Sequence, residues 1–469
     1  MKVNFRNLGT LDEAQIELNK LTIVCGENNL GKTYLTYALY GFLSNWERFI
    51  ECKIPKHVIH ELRTEGLSIL DLKTEYVDQV IKALAQAAKV YQRFLPSVLA
   101  SSADRFSNTT IEFSVEPTDM VDLFKDQYEQ QFTSGEGKRS LLFKKSADSF
   151  ELEISSFADD ELSADDLPER LIEETVKKLV WSTVMPRPFI ASAERTGAIT
   201  FRNELNLKRS NLLRIAHDMK ADAQFTPFEI LEKLFDHGYP VSVSDNVDFA
   251  NRLSSLLSKT SELSQKNPEL LELHDEIVGG KYLIKDGEVV FSPKSQKRAK
   301  LSMAESSSSV RSLVMLSYYL KHIARKGDLL IIDEPELNLH PSNQRKIARL
   351  IALIISSGIH VFVTTHSDYI IKEFNTLIML NNFPHIMAPV KSKAGYMESE
   401  HLRSSDVTLY TIEKNKLYSP AGKTKRSRGT VAVRASIDPK YGIQADSFDA
   451  VINEMNKFQD SLFELLDIL

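Results

Sequence analysis

The chain has 469 residues, enough for about two to four domain-sized units. Its 42% hydrophobic and 26% charged residues are ordinary for a globular protein, and a net charge of −6 excludes a global basic field for nucleic acid, while leaving room for a local basic groove. Only two cysteines occur, Cys25 and Cys52, which excludes a disulfide framework or a thiolate zinc site and fits a reducing cytoplasm; the N-terminus has no apolar signal core, and no run of about 18 apolar residues predicts a transmembrane span.

In chain order, residues 1–25 read as short strands, and Leu21-Thr22-Ile23-Val24 is a buried strand ending at Gly26. Residues 31–48 read as a helix, and 55–100 carry helical spacing at Val77, Val80, Ile81 and Leu84. Strand signals return at Thr109–Val115, and a hairpin is expected from Leu141–Lys144 and Phe150–Ile154 across polar Lys145–Ser149. The acidic run Asp159–Glu169 leads into a helix around Leu171–Val180, and Arg187–Ala193 is a further buried strand. A helix-rich stretch at about 201–275 is interrupted by Pro227, Gly238-Tyr239-Pro240 and Pro268. Lys281–Ile284 and Glu288–Phe291 flank Lys285-Asp286-Gly287, a hairpin signal. A helix from about Ser309 to Arg325, a strand at Leu329–Ile332, a helix at Ser342–Ser356 and a strand at Ile359–Thr364 then alternate as in a parallel α/β sheet. The tail, 400–469, reads as strands followed by a helix at Ser447–Leu465.

Three motifs carry chemistry. Gly26-Glu27-Asn28-Asn29-Leu30-Gly31-Lys32-Thr33 fits G-x-x-x-x-G-K-[ST] between a strand and a helix. The glycines let the loop through Asn28 and Asn29 curl its N–H groups toward phosphate oxygens, and the following helix adds its positive end. Lys32 would reach the β- and γ-phosphates of ATP, and Thr33 would hold Mg²⁺. Leu329-Leu330-Ile331-Ile332-Asp333-Glu334 delivers two carboxylates to the carboxyl edge of a sheet, where α/β ligands bind. Asp333 would serve the Mg²⁺ shell and Glu334 would polarise the attacking water. The next strand ends in Thr365-His366 at the same edge, where His366 would contact the γ-phosphate and sense its loss.

This order and spacing resembles the ATP-binding-cassette head of the SMC/Rad50/RecF group and the OLD-like ATPases. The runs Asp333-Glu334-Pro335-Glu336-Leu337-Asn338-Leu339-His340-Pro341 and Thr365-His366-Ser367-Asp368 are similar to the OLD-like prokaryotic branch, common in anti-phage defence, including the ATPase subunits of PARIS and Septu systems. The specific part covers about 1–45 and 300–380. The resemblance implies an α/β fold: a mixed sheet with helices, an antiparallel β lobe and helical insertions, without a long coiled coil. It also implies ATP held between two protomers, with the signature Ser306–Arg311 of one copy capping the γ-phosphate bound to the other. Ser307 would be the contacting hydroxyl, with Ser308 and Arg311 beside it. Two departures bear on hydrolysis more than on binding. Ser308 and Ser309 stand where the family's signature has a glycine, and Glu194-Arg195 stands where a glutamine is expected, with Glu194 able to serve metal or water.

The corresponding layout is a head built from 1–45, 106–205, 279–400 and 401–469, with helical insertions at 46–105 and 206–278. SMC and Rad50 arms need hundreds of heptad residues, and the helical stretch here is far shorter and broken by proline. No Asp-x-Asp pair is present for a Toprim-type nuclease. The basic run Lys423–Arg434 could touch phosphates or an acidic partner. Two readings remain open. One is a cytoplasmic ATPase switch that forms a head-to-head dimer or higher homo-oligomer and controls a separately encoded effector in defence. The other is a RecF-like DNA-binding ATPase in repair, with nucleic acid as partner. A transporter subunit fits less well, because the glutamine is missing and the insertions are large.

Overall fold

The computed structural model describes residues 1–133, 139–158, 168–202, 238–258, 260–296, 298–382, 384–416, 428–438, 440 and 442–444. Most of the acidic run after 158, the stretch 203–237, the start of the basic run and the expected helix at Ser447–Leu465 lie outside them.

The central sheet has nine strands. Five run parallel, in the order β15 (Val407–Lys416), β3 (Leu21–Gly26), β14 (His360–Thr365), β13 (Leu329–Asp333) and β9 (Pro188–Ala191). Antiparallel to β15 lies β16 (Arg428–Arg434), followed by β2 (Leu11–Glu17), β1 (Lys2–Leu8) and β5 (Thr110–Ser114). The sequence dictates this division. β3 and β13 are predominantly apolar and buried on both faces, as parallel strands require. β1 alternates buried and exposed positions, as a strand with one wet face does.

Because side chains alternate along a strand, each buried strand feeds two cores. Leu329 and Ile331 of β13 join one core, and Leu330 and Ile332 join the other. The first core is filled by α1 (Lys32–Phe49), which follows β3, and by α2 (Val80–Val98). Phe42 of α1 stacks on Phe113 of β5 with ring centroids 3.7 Å apart, and Tyr91 of α2 meets Phe42 edge-on at 5.4 Å. On the opposite face pack α5 (Ser308–Tyr318), α6 (Pro341–Ser356) and α7 (Asp368–Asn382). Two further helices serve the site: α3 (Arg195–Thr200) follows β9, and α4 (Val241–Arg252) packs against α3 and α1.

The antiparallel lobe is a four-stranded sheet in the order β4 (Leu67–Asp71), β8 (Glu151–Ala158), β7 (Arg139–Lys145) and β6 (Tyr128–Thr133). A hairpin of β10 (Gly280–Lys285) and β11 (Glu288–Pro293), extended by β12 (Leu301–Ser302), matches the Lys285-Asp286-Gly287 turn. β17 (Ser436–Asp438) and β18 (Gly442–Gln444) form a last small pair. The expected mixed sheet, antiparallel lobe and absence of a long coiled coil hold among the described residues.

Two local expectations differ. Residues 46–105 are not wholly helical, because β4 interrupts them. It turns Ser68 and Leu70 inward and leaves Leu67 and Ile69 exposed, so its alternation runs against its polarity pattern. The helix begun at Ser308 is α-helical only to Tyr318 and continues as a wider π turn over Tyr319–Ile323, instead of running evenly to Arg325.

Phe42 joins α1 to the edge of the sheet, so its truncation tests this core. Phe42→Ala is expected to cost about 3–5 kcal/mol, read as a lower urea midpoint. An unchanged midpoint would show that the α1–β5 contact is not a stability determinant.

Candidate active site

Since β3, β13 and β14 are parallel, their carboxyl ends open on one edge. After β3 the chain turns through Gly26 at φ 138°, Asn29 at φ 63° and Gly31 at φ 99°. Gly26 is required twice over: its φ suits no L side chain, and a Cβ there would lie 2.4 Å from the Ile412 carbonyl oxygen of β15. Gly31 caps α1 with no side-chain hydrogen bond, and no acidic residue sits in the first turn. The helix therefore presents unsatisfied N–H groups and an uncompensated positive end, the requirement for holding an anion. Lys32 is buried, and its ammonium donates to the carbonyls of Gly26 at 2.9 Å and Glu27 at 2.7 Å across the loop. Burial lowers its pKa, and the carboxylates of Glu334 and Asp333 oppose that shift. Asn28, Asn29 and Thr33 are exposed at the mouth.

Asp333 closes β13 at 2% exposure. Burial pushes its carboxyl up to about 6, although Thr364 donates to Oδ1. Its Oδ2 is buried and has no hydrogen-bond partner among the described residues. An anionic oxygen without a partner is costly, and a hard divalent cation would relieve it. No group of three or more His, Cys, Asp or Glu is placed to hold a metal among the described residues. A cation here would thus complete its shell with phosphate and water, which suits Mg²⁺.

Glu334 follows with φ 54°, a left-handed conformation rare for a side chain of this size. Its N–H donates to the Thr364 carbonyl at 3.1 Å. The carboxylate lies 3.5 Å from Nε2 of His366, and hydrogen bonding to that ring holds it below the ordinary glutamate range against the effect of burial. It is therefore ionised at neutral pH and able to accept a proton from water. Glu336 takes the His366 N–H at 2.6 Å and the Thr365 hydroxyl at 2.9 Å, which fixes the turn carrying His366.

These groups line one cavity of about 560 Å³, with Asn28, Asn29, Gly31, Lys32, Thr33, Asp333, Glu334 and His366 together. Gly26 lies behind the loop. Sequence reasoning did not foresee Tyr34 and Tyr37 of α1, which also line it, although their three-residue spacing on the helix after the P-loop was readable. Glu194 reaches the cavity from the end of β9 and accepts a hydrogen bond from the Tyr37 hydroxyl.

The serine run lies elsewhere, and none of its residues lines this cavity. Ser307 is exposed and caps α5, accepting from the Val310 N–H at 3.3 Å and sitting 2.9 Å from the Ser309 hydroxyl. Arg311 binds its own loop, donating to the carbonyls of Ser306 at 2.6 Å and Met303 at 3.2 Å and to the Ser308 hydroxyl at 3.1 Å.

The chain belongs to the AAA ATPase domain family, whose profile matches residues 1–371. It is accordingly a nucleotide-binding, ATP-hydrolysing P-loop protein. No curated protein gives a match. Similar solved structures include an Smc head bound to the C-winged helix domain of ScpA, at TM-score 0.36 and 10% identity over 93% of this chain and 97% of that one. Another is an Smc head with an extended coiled coil bound to the C-terminal domain of ScpA, from Pyrococcus furiosus, at TM-score 0.34 and 10% identity over 97% and 98%. The SMC head of Thermotoga maritima gives TM-score 0.29 and 8% identity over 92% and 98%.

Asp333 makes a test independent of catalysis. Its folded carboxyl holds its proton to about 6, against about 3.9 in an unfolded chain. Between these values the folded state binds more protons than the unfolded one, so this group's contribution to stability falls as pH rises. Ionisation then costs up to about 3 kcal/mol in the nucleotide-free chain. Asp333→Asn should raise the melting temperature without nucleotide at pH 7.5, and the gain should shrink as pH falls through 6. A variant that melts lower than wild type at pH 7.5 would refute this.

Proposed function

We propose that this AAA ATPase domain protein binds ATP·Mg²⁺ at the P-loop, hydrolyses it with Glu334 acting on the water, and uses the cycle as a switch in a cytoplasmic anti-phage defence complex. The observation that carries the reading is the convergence of Lys32, Asp333, Glu334 and His366 on one cavity at the carboxyl ends of three parallel strands. The loop N–H groups, Asn28, Asn29, Gly31 and Lys32 take the phosphates. Thr33 and Asp333 hold Mg²⁺, which when bound neutralises charge developing on the phosphate oxygens. Glu334, kept ionised beside His366, accepts the proton of the attacking water. His366 stands where loss of the γ-phosphate would be felt.

The Ser306–Arg311 run supports a site shared between two copies. It begins a helix, leaves Ser307 exposed and is absent from the cavity of its own chain. Joining of two heads on ATP and their release after hydrolysis gives two states, and a bound protein that prefers one of them is held or freed accordingly. The effector reading draws on the motif resemblance and on the length of the segments 46–105 and 206–278, which lie outside the three ATP motifs in sequence. Among the described residues no helix is long and apolar enough to cross a membrane. ATP hydrolysis stimulated by DNA in the purified chain alone would favour repair, and co-purification of an effector from the native operon would favour defence.

The roles divide cleanly in kinetics. Lys32→Ala should weaken ATP binding by about tenfold or more, whereas Glu334→Gln should keep binding and slow hydrolysis by about 10²–10⁴-fold. A Glu334→Gln protein working at the wild-type rate would remove Glu334 from the mechanism.

The shared site is tested by mixing two inactive chains. Lys32→Ala retains an intact signature and Ser307→Arg an intact P-loop. Their mixture should recover up to about a quarter of wild-type turnover if random pairing gives half hetero-dimers with one good site each. No recovery, with mixing confirmed by differently tagged chains, would mean that each head acts alone.

A further inference from the structure

Arg195 is the largest buried cation of the site, and the chemistry described so far does not use it. It is 2% exposed, at the start of α3. Its four hydrogen bonds all go to main-chain oxygens. Nε donates to Ser312 at 2.9 Å, Nη1 to Ser192 at 2.9 Å and to Asp333 at 2.6 Å, and Nη2 to Glu334 at 2.8 Å. One planar group thus joins the end of β9, the signature-bearing helix α5 and both residues of the acidic pair. Burying a guanidinium is costly, and burial presses its pKa down while Asp333, Glu336 and Glu334 oppose that. A cation so placed is balanced by the site's carboxylates while its hydrogen bonds are spent on backbone geometry.

The backbone it holds is the unusual one. Glu334 sits at φ 54°, and it is gripped on both sides: Thr364 accepts its N–H and Arg195 donates to its carbonyl. The fork of an arginine reaches several carbonyls at fixed angles, which an ammonium cannot do. We propose that Arg195 is a positioning residue that sets the aim of the Glu334 carboxylate and ties it to α5, so that seating of the signature helix and readiness of the base are one event. Arg195 does not line the cavity, so in this role it acts through Glu334. This rests on the reading of Glu334 as the group that acts on the water.

The experiment is a double-mutant cycle in the full chain, using Arg195→Lys, Glu334→Gln and both together. Steady-state ATP hydrolysis and affinity for a fluorescent ATP analogue are measured for each. Arg195→Lys is expected to lower kcat by about 10- to 100-fold while changing analogue affinity by less than about threefold. The double variant should hydrolyse no more slowly than Glu334→Gln alone. A kcat for Arg195→Lys within twofold of wild type would overturn the proposal, as would an affinity loss equal to the kcat loss, or a double variant that falls by the product of the single effects. Wild-type turnover by Glu334→Gln would instead overturn the underlying reading, so the two failures are distinct. Should Arg195→Lys not fold, amide hydrogen exchange on the Glu334→Gln chain decides. ATP and Mg²⁺ should protect peptides covering 307–318 and 333–337 together, and protection of one without the other would sink the clamp.

Discussion

Asp333 is a carboxylate in a dry place, and the surrounding structure is arranged around that fact. Four buried apolar residues of β13 lead to it, so its charge arrives almost fully buried at the edge of the cavity. A single buried carboxylate with one oxygen unpartnered would be a defect in a domain built for stability alone. Thr364 satisfies one oxygen from the neighbouring strand, and Lys32 and Arg195 bring positive charge from two other elements. Lys32 and Arg195 owe part of their charged state to this carboxylate, and its Oδ2 remains open. The neighbouring charges offset part of one another's burial and leave Asp333 with a residual cost in the nucleotide-free chain.

The sheet converts that local balance into geometry. β14 lies between β3 and β13, so the phosphate loop and the acidic pair flank the strand that leads into His366. Parallel register places Thr364 beside Asp333 and Thr365 beside Cys25. The two threonines then act as struts, one to Asp333 and one to Glu336. β15 comes from the far end of the chain and lies against β3 closely enough that Gly26 admits no side chain. The phosphate loop is thus shaped by a C-terminal strand as well as by its own glycines.

Much of this was legible because the motifs are local. Gly26–Thr33, Asp333-Glu334 and Thr365-His366 are each contiguous, and the buried strands that carry them are plain apolar runs. What was not legible depends on partners distant in sequence. Tyr37 meets Glu194 across 157 positions, and Arg195 meets Ser312 and Glu334 across 117 and 139. Glu194 was singled out for metal or water and does reach the cavity, but nothing in Ala193-Glu194-Arg195-Thr196 says that the next side chain is sealed inside. β4 escaped for a different reason: its apolar Leu67 and Ile69 face out, so period-two reasoning had no amphipathic signal to use.

If the Ser306–Arg311 run is the signature, as proposed, its departure in sequence is physically mild. A glycine at a helix start admits close approach of another molecule, and serines at 308 and 309 forfeit some of that room. Ser307 compensates by its bonding. Its oxygen accepts from the Val310 N–H and shares a hydrogen bond with the Ser309 hydroxyl, so one hydroxyl hydrogen of the Ser307–Ser309 pair remains to be offered. A phosphate oxygen needs donors, and the first N–H groups of α5 add theirs at the positive end of the helix. Arg311, by contrast, spends its donors on the carbonyls of Met303 and Ser306 and on Ser308. These bonds hold the loop at 303–308 against the start of α5. In the proposed shared site, the run would meet the nucleotide of the other copy with hydroxyl and backbone donors. Donors of that kind favour an anion in a defined position, so in that arrangement the contact would weaken once the outermost phosphate leaves.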